Sequence, residues 1–490
     1  MIDQAALYKP SLALLTDLYQ LTMAYSYWKS GTSDKEAVFT MFFREPPFHG
    51  GYAIACGIQP ALEFLEHFHF DDEDIGYLAT LTGNDELPLF EKDFLSCLSE
   101  LRFGCDVEAV REGTVVFAQE PLIRVKGPIM HAQLVETALL TIINFQTLIA
   151  TKAARICHAT RGEQVLEFGL RRAHGIDGGL AASRAAHIGG CHATSNVLAG
   201  KLYGIPVRGT HAHSWVMSFD TEIEAFDAYA DALPNNCVFL VDTYDTLEGV
   251  RNAVKAGNRL KDRGHRMVGI RLDSGDLAYL SREARHILDE AGFKDTAIFA
   301  SNDLDEHIIA SLKEQGAAIA VWGVGTKLVT AYDQPALGGV YKLTSFKRPG
   351  EEWQHPIKLS EQHIKITTPG HLQVRRFRQP GECSADLIFD ELTGCPAEPV
   401  MVDPLDPTRR RKLGKDLTSE NLLQPALRDG KLVAERETLD VARKRTHDQL
   451  SGFHGGVKRF VNPHRYPVGL ELGLHELKTN LIMKARGFAK

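Results

Sequence analysis

Met267-Val268-Gly269-Ile270-Arg271-Leu272-Asp273-Ser274-Gly275-Asp276 sets the pattern for the middle of this 490-residue chain. Its first four residues are apolar or small, as is typical of a short buried β-strand. The run opens into two charged side chains, Arg271 and Asp273, and a helical pattern follows over 276–291. A buried strand that ends in charged residues and leads into a helix is the repeating unit of a parallel α/β sheet.

The same arrangement recurs before and after this stretch. The apolar runs that open into polar or charged residues are 164–168, 205–207, 238–241, 267–270, 297–300 and 318–321. Their alternation with helical segments predicts parallel α/β, for which a doubly wound sheet and a barrel both remain open. We favour a barrel, because all strand ends of a barrel meet at one mouth and nearly every run here brings polar side chains to its end.

Changes in this rhythm predict three regions. Residues 1–130 form a mixed α/β domain, residues 131–340 carry the barrel, and residues 341–490 form a C-terminal region that is partly antiparallel β and partly helical. The first region includes a small β unit at 105–128, in which the runs 105–110 and 114–118 flank a turn and predict a hairpin. No sequence pattern in the C-terminal region predicts a catalytic or binding site.

Several further elements are predicted outside the repeating runs. Thr16 is a candidate N-cap for a helix over 17–30, and a long helical pattern spans 129–161. Short antiparallel strands are predicted at 340–343, 364–366 and 372–374, and a helix at 439–450.

Composition excludes several classes of protein. Hydrophobic residues make up 44% and charged residues 24%, which is ordinary for a globular protein, and the formal net charge of -8 disfavours a nucleic-acid-binding face. The first residues do not have the pattern of a signal peptide, and no run of about 18 apolar residues predicts a membrane span. The eight cysteines are scattered without a Cys-x-x-Cys pair, so we expect a reducing, cytoplasmic environment.

The predicted strand ends collect charged and polar side chains at one mouth. They are Arg171, His211, His213, Asp242, Asp245, Arg271, Asp273, Asp276 and Asn302, with the small-residue loop Gly323-Val324-Gly325-Thr326. Carboxylates beside arginines suit a phosphorylated sugar with magnesium, and a glycine-rich turn suits phosphate oxygens. Taken alone, each residue is better explained by a surface ion pair, and only their recurrence at successive strand ends favours a site.

The two histidines of Gly209-Thr210-His211-Ala212-His213 are open to several interpretations. A His-x-His metal pair needs further histidines or carboxylates at later strand ends, and the later ends offer only aspartate and arginine, so a transition metal is disfavoured. We favour His213 as a phosphate acceptor or general base, with Asp242 or Asp273 to orient its imidazole. His211 is expected to be structural.

Five stretches resemble nicotinate phosphoribosyltransferases along nearly the whole chain. They are 15–23 (LTDLYQLTM), 167–173 (EFGLRRA), 209–214 (GTHAHS), 271–276 (RLDSGD) and 465–469 (RYPVG). The resemblance implies an irregular α/β barrel of the type II phosphoribosyltransferase kind, with a smaller mixed α/β domain and a C-terminal extension. It also implies the reaction of nicotinate with 5-phosphoribosyl 1-pyrophosphate in NAD salvage, coupled to ATP hydrolysis, and a homodimer with shared active sites.

The resemblance further implies roles for single residues. His213 would be the histidine that ATP phosphorylates, and Asp242 and Asp273 would be catalytic and would lie near ribose, pyrophosphate and Mg²⁺. The expected substrate-binding residues are Tyr19 (from the partner subunit), Phe168, Arg171, Ser195, Arg271, Ser301, Asn302, Gly323, Gly325 and Thr326.

Ser195 bears on the choice of pyridine. Relatives that use nicotinamide resemble this chain but have an aspartate near this position, whereas a serine does not repel a carboxylate, so we expect an acid rather than an amide as substrate. His192 stands where a less basic residue is expected. The alternatives are a phosphoribosyltransferase acting on nicotinamide or quinolinate, and a non-catalytic barrel that binds a phosphorylated metabolite.

Overall fold

The computed structural model describes residues 12–488. These residues divide into two compact units. The first combines the chain up to Leu148 with the chain from Ala336 onward, and the second contains Ile149–Pro335.

The strands are β1 Glu36–Phe43, β2 Ala53–Ile54, β3 Asp106–Ala109, β4 Val115–Val116, β5 Ile123–Pro128, β6 Gln164–Glu167, β7 Ala193–Thr194, β8 Val238–Leu240, β9 Gly269–Leu272, β10 Ala297–Ala300, β11 Val321–Val324, β12 Gly339–Lys347, β13 Leu372–Gln379, β14 Glu382–Asp390, β15 Val400–Val402, β16 Arg410–Lys412, β17 Thr418–Asn421, β18 Gln424–Arg428, β19 Lys431–Leu432 and β20 Val468–Glu471. The helices are α1 Leu18–Lys29, α2 Ile58–Glu66, α3 Asp72–Leu78, α4 Lys92–Glu100, α5 Ile129–Leu134, α6 Glu136–Ala159, α7 Gly175–Ile188, α8 Val197–Tyr203, α9 His213–Val216, α10 Glu222–Ala232, α11 Thr246–Asp262, α12 Leu277–Glu290, α13 Glu306–Glu314, α14 Thr326–Val329, α15 Leu439–Ser451 and α16 Leu472–Ala485. Short 3₁₀ turns occupy Pro47–His49, Leu170–Arg172, His363–Lys365 and Gly455–Lys458.

The second unit is built on a six-stranded sheet in the order β7-β6-β11-β10-β9-β8. All of its neighbouring strands are parallel. Leu166, Ala193 and Val321 form a buried cluster against which Phe168 and Phe299 pack. Because the strands are parallel, their carboxyl ends lie at one edge of the sheet, as the sequence predicts.

Two strands of this sheet differ from the prediction. The run 205–207 contributes only a single bridge, between Val207 and Thr194, and the sheet instead contains the unpredicted two-residue strand β7. The last strand is β11 at Val321–Val324 rather than 318–321. Residues 317–324 are almost continuously apolar, so the sequence carries no signal for where this strand begins.

The first unit joins the N-terminal and C-terminal parts of the chain through one shared sheet. One sheet has the order β12-β1-β5-β3-β18-β19, so that β12 and β18 from the C-terminal part pair with β1 and β3. The second has the order β16-β15-β20-β14-β13-β17. Residues 341–490 therefore share one compact unit with the N-terminal region, because backbone hydrogen bonds join their strands.

Several local predictions need correction. The runs 105–110 and 114–118 do not pair as a hairpin, since β3 pairs with β5 and β18, and β4 pairs with β2. Residues 364 and 365 lie in a 3₁₀ turn and residue 366 follows it, so no strand forms there. The helix predicted over 129–161 is interrupted at Val135, and α1 begins after Asp17 instead of Thr16.

A network of buried polar side chains lies inside the first unit. Asp386 Oδ2 accepts a hydrogen bond from Arg376 at 2.6 Å, and neither side chain is exposed. The hydroxyl of Tyr466 donates to Asp386 Oδ1 at 3.0 Å. Burial, and next the negative charge of Asp386, raise the pKa of Glu120 well above its usual value. Within 12–488, no helix is both long and apolar enough to cross a membrane.

Candidate active site

The residues that follow the strands of the second unit surround one edge of the parallel sheet. Phe168, Ser195, Asp242, Asp273, Ser301 and Gly325 each stand one or two positions past a strand end. His213 begins α9, a short turn that follows the Val207 bridge. The second unit thus contains every predicted site residue except Tyr19.

Arg271 is held by three neighbouring side chains. It lies inside β9, and its Nε donates to Ser301 Oγ at 2.8 Å. The two terminal nitrogens donate to Thr210 Oγ1 at 2.9 Å and to Asp273 Oδ1 at 3.1 Å. A guanidinium has five N–H donors, so donors on the terminal nitrogens remain for a ligand.

Asp273 and Asp242 are linked through the backbone. The amide of Asp273 donates to Asp242 Oδ2 at 2.8 Å, and Ser274 Oγ donates to the same oxygen at 2.6 Å. Ser301 Oγ also donates to Asp273 Oδ1. The Asp242 side chain is 1% exposed. Its Oδ1 is buried without a hydrogen-bond partner among the residues that the structure describes.

His213 faces both carboxylates. Its Nε2 lies 3.9 Å from Asp242 Oδ1 and 3.7 Å from Asp273 Oδ2. Its Nδ1 is hydrogen-bonded to Thr243 Oγ1 at 3.1 Å. The imidazole is partly exposed, at 39% of its side-chain surface, so a ligand can reach it. This geometry suits a nucleophile or a proton carrier.

His211 points away from these carboxylates into the core of the unit. The residue is 8% exposed and its ring packs edge-on against Tyr229, with centroids 4.9 Å apart. Its Nε2 accepts a hydrogen bond from the backbone amide of Leu240 at 3.2 Å. Burial lowers the pKa of His211 to about 4, so the ring is neutral at pH 7.

Phe168 forms an aromatic wall beside Arg271, whose guanidinium carbon lies 5.8 Å from the ring centroid. Gly323 makes room for this wall, because a β-carbon at that position would approach the Phe168 ring to 2.7 Å. Gly323 was expected to contact phosphate, but it lies inside β11 because the strand ends three residues later than predicted.

The buried carboxylate of Glu167 fixes the loops around this wall. It accepts from Ser183 Oγ at 2.8 Å, from Thr194 Oγ1 at 2.6 Å and from the amide of Gly169. The amide of Ser195 in turn donates to the Glu167 carbonyl at 2.9 Å. Phe168 and Ser195 are therefore positioned by the same residue.

The remaining predicted residues vary in surroundings. Gly325 and Thr326 stand at the start of α14, and Asn302 is exposed with a φ of 101°. Arg171 is exposed in the 3₁₀ turn after Phe168. Tyr19 lies in the first unit on α1 and is 48% exposed.

Three residues named in the sequence analysis serve local structure. Asp245 and Asp276 cap α11 and α12, since each accepts a hydrogen bond from a backbone amide in the first turn. His192 Nδ1 accepts from the amide of Val165, which lies near the beginning of β6 and not at its carboxyl end.

Thr210, Thr243 and Ser274 were not singled out from the sequence, yet each bonds a predicted site residue. Thr243 and Ser274 directly follow Asp242 and Asp273 in the chain, and Thr210 lies three positions before His213, so nearness in sequence is the signal that could have found them. Throughout 12–488, no three His, Cys, Asp or Glu side chains converge into a metal site.

Models of known protein families match three parts of the chain. The model described as the nicotinate phosphoribosyltransferase (NAPRTase) family matches residues 163–355. Those of its N-terminal and C-terminal domains match residues 14–144 and 372–478. The nicotinate phosphoribosyltransferase of Bacillus subtilis (strain 168) is 45% identical over 96% of this chain and 97% of its own length.

The chain belongs to the nicotinate phosphoribosyltransferase family.

Other members of the nicotinate phosphoribosyltransferase family are similar along their whole length. The protein of this name from Caenorhabditis elegans is 37% identical over 97% of this chain and 94% of its own. The crystal structure of human nicotinic acid phosphoribosyltransferase aligns with a TM-score of 0.83 and 31% identity over 95% of this chain and 99% of that one. The expected family and fold class are thereby confirmed, and the roles of single residues stay predictions.

Proposed function

We propose that the protein joins nicotinate to 5-phosphoribosyl 1-pyrophosphate, giving nicotinate mononucleotide and pyrophosphate for NAD salvage. The observation that carries this proposal is the 45% identity over nearly the full length of both chains with a relative that is named for this activity. The cluster of Arg271, Asp242, Asp273 and Ser301 supports it, because it combines an anion-binding guanidinium with carboxylates and a hydroxyl.

The carboxylates suit the chemistry at the sugar. As pyrophosphate leaves C1 of the ribose, positive charge develops on the ring, and a nearby carboxylate stabilises it. Asp242 Oδ1, which has no hydrogen-bond partner within residues 12–488, and Asp273 Oδ2 face the same histidine and would hold a Mg²⁺ ion, since carboxylate oxygens are preferred ligands of this metal. When bound, Mg²⁺ would neutralise charge on the leaving pyrophosphate.

Coupling to ATP is assigned to His213. With Thr243 engaging Nδ1, the lone pair of Nε2 attacks the γ-phosphorus of ATP. The N–P bond forms as the bond to ADP breaks, and water later cleaves the N–P bond to release phosphate. The carboxylates of Asp242 and Asp273 stabilise the positive charge that the ring gains on phosphorylation.

The pyridine is assigned to the wall formed by Phe168. A flat aromatic substrate stacks favourably on an aromatic ring, and the free donors of Arg271 bind a carboxylate. Ser195 is uncharged and does not repel that carboxylate, as an aspartate would, so it favours nicotinate over nicotinamide. Arg171 follows Phe168 closely in the sequence and is proposed to bind the same carboxylate or a phosphate.

The 5′-phosphate is assigned to Gly325, Thr326 and Asn302, at the ends of neighbouring strands β11 and β10. Gly323 supports this region through its close packing with Phe168.

A homodimer is proposed, in which Tyr19 of the partner subunit completes the pyridine site. Leu15, Leu18 and Tyr19 are between 42% and 52% exposed on and just before α1, which suits a contact with a second copy. No disulfide joins the eight cysteines within residues 12–488, which suits a reducing compartment such as the cytoplasm.

The deciding experiment measures mononucleotide formation from nicotinate, nicotinamide and quinolinate, each with and without ATP. We expect turnover with nicotinate and stimulation by ATP. A preference for either other pyridine, or binding of 5-phosphoribosyl 1-pyrophosphate without turnover, would contradict the proposal.

The His213→Ala variant tests the coupling. It should lose ATP stimulation and acid-labile phosphate incorporation, because no nitrogen remains to accept the phosphoryl group. His286→Ala is the matched control, since His286 lies on α12 with 68% of its side chain exposed and should behave as wild type. ATP stimulation that survives in His213→Ala would disprove the phosphohistidine role.

A further inference from the structure

The outermost strands of the parallel sheet of the second unit are β7 and β8, and one chain segment contacts both of them. At the β7 edge, the amide of Thr194 donates to the Pro206 carbonyl and the amide of Arg208 donates to the Thr194 carbonyl, each at 3.0 Å. The chain then runs through Thr210 to His211, whose Nε2 accepts the amide of Leu240 in the opposite edge strand, β8.

The Leu240 amide needs an acceptor at this edge. Alternate N–H groups of a strand point to opposite sides, and the amide of Val241 donates to Arg271 of the β9 chain, so that of Leu240 points outward. Leu240 is 1% exposed, so water does not satisfy this group. In a continuing sheet, a carbonyl of the next strand would accept this hydrogen bond.

We infer that His211 is a positioning residue whose imidazole takes the place of that strand carbonyl, joins the two sheet edges and thereby holds His213 against Asp242 and Asp273. The inference rests on the proposed role of His213.

The contacts of the segment agree with this role. Thr210 accepts from Arg271, His211 accepts from Leu240 and His213 bonds Thr243, so three side chains tie four consecutive residues to β8, β9 and the loop after β8. Burial lowers the pKa of His211 and keeps the ring neutral, and Nδ1, which lies 3.4 Å from the Ala212 carbonyl, carries the one proton, so Nε2 is left as an acceptor. Packing of the ring on Tyr229 fixes its orientation.

Two variants separate the acceptor atom from the bulk of the ring. His211→Phe keeps an aromatic ring but has no acceptor, whereas the side-chain oxygen of His211→Gln reaches the position of Nε2. We expect His211→Phe to lower kcat of the ATP-coupled reaction about 10- to 100-fold, since small displacements of a reacting group have effects of that size. The KM for nicotinate should stay within about twofold, and His211→Gln should recover most of the loss.

Hydrogen exchange reports on the anchor independently of activity. In peptides covering residues 236–243, exchange at Leu240 should be about tenfold faster in His211→Phe than in wild type or His211→Gln, because the buried amide has lost its acceptor. If His211→Phe does not fold, His211→Asn replaces it, since its shorter side chain places an oxygen near Nδ1 and does not reach Leu240.

Equal coupling and equal exchange in the Phe and Gln variants would overturn the inference, as would a Gln variant no better than Phe or Asn. If wild type shows no ATP stimulation, the proposed role of His213 fails and the exchange comparison alone decides whether His211 anchors the segment.

Discussion

His211 and His213 lie two residues apart, yet their side chains meet different surroundings. The His211 imidazole is buried in the core, and its Nε2 accepts a hydrogen bond from a backbone amide. The His213 imidazole is partly exposed and lies beside two carboxylates. Whether residues two apart share a face depends on the strand continuing through them. Here the chain has left the sheet after Val207, so the two rings point apart.

Thr243 offers a test at the level of one hydroxyl. Thr243→Val keeps the shape of the side chain but removes the hydrogen bond to His213 Nδ1. We expect kcat of the ATP-coupled reaction to fall about tenfold, because the ring loses its fixed tautomer and one hydrogen bond of about 1 kcal/mol. Steady-state kinetics with and without ATP measure this.

Thr243→Ser is the matched control, since it retains the hydroxyl and should stay within about twofold of wild type. A Val variant with unchanged coupling would show that the hydroxyl does not orient the ring.

Ser195 offers a test of substrate choice. Ser195→Asp introduces a carboxylate beside Phe168, where it repels nicotinate and accepts a hydrogen bond from an amide. We expect the ratio of kcat/KM for nicotinate to that for nicotinamide to fall about tenfold or more. Competition assays with the two pyridines measure the ratio, and Ser195→Asn serves as the uncharged control. An unchanged ratio would place Ser195 outside the pyridine site.

Among the elements, β6, β8, β9 and β10 lie within two or three residues of their predicted positions. Their apolar runs are short and bounded by polar residues, so the limits are visible. Strand β7 was not predicted and strand β11 was predicted three residues too early, for opposite reasons. Two residues are too few to carry a pattern, and the run before Trp322 is apolar for too long to show a boundary.

The beginning of α13 is fastened to α6 by buried charges. Glu306 pairs with Arg155 at 2.7 Å and with Lys152 at 2.8 Å, and its side chain is not exposed. We expect Glu306→Leu to lower the free energy of unfolding by about 3–5 kcal/mol, because two buried cations each lose one of the groups that compensate their charge, although Lys152 keeps its ion pair with Asp333.

Urea denaturation followed by tryptophan fluorescence measures this change. A Trp28→Phe, Trp353→Phe background leaves Trp215 and Trp322, both in the second unit, as reporters. Glu290→Leu, with 68% of the side chain exposed, is the control and should change stability by less than about 0.5 kcal/mol. A similarly small effect of Glu306→Leu would show that the buried pairs add no net stability.

At the scale of the molecule, the pairing of distant segments is what the sequence did not reveal. Strand β12 pairs with β1, and β18 with β3, across about 300 residues of chain. Strand patterns show which residues form strands, but partners are chosen by side-chain packing in three dimensions. Residues 341–490 were expected to form a separate third region because their strand patterns do not show that β12 and β18 pair with β1 and β3.

The buried network around Asp386 predicts a pH dependence of the first unit. Glu120 binds its proton more tightly in the folded state than in the unfolded state, where its pKa is near 4.5. Its contribution to stability is therefore complete below pH 4.5 and is lost as the pH rises through the folded-state pKa. Glu120→Gln does not ionise, so we expect it to raise the free energy of unfolding at pH 8 more than at pH 5.

Urea denaturation at both pH values measures the effect. For each pH unit above the unfolded-state pKa over which folded Glu120 stays protonated, the free energy of unfolding falls by about 1.4 kcal/mol. Glu361→Gln is the control, because Glu361 is exposed and its substitution should not change the pH dependence. Equal effects of Glu120→Gln at both pH values would show that Glu120 ionises normally.

The order of apolar runs and polar strand ends, together with the five motif stretches, was sufficient to predict the α/β class, the family and the set of side chains gathered at one sheet edge. These features are local, so neighbouring residues carry them. Only the tertiary structure decided which imidazole faces Asp242 and Asp273, that Gly323 packs on Phe168, and that the N-terminal and C-terminal parts of the chain share a sheet. Those outcomes depend on where a strand stops and what packs beside it, and distant parts of the chain determine both.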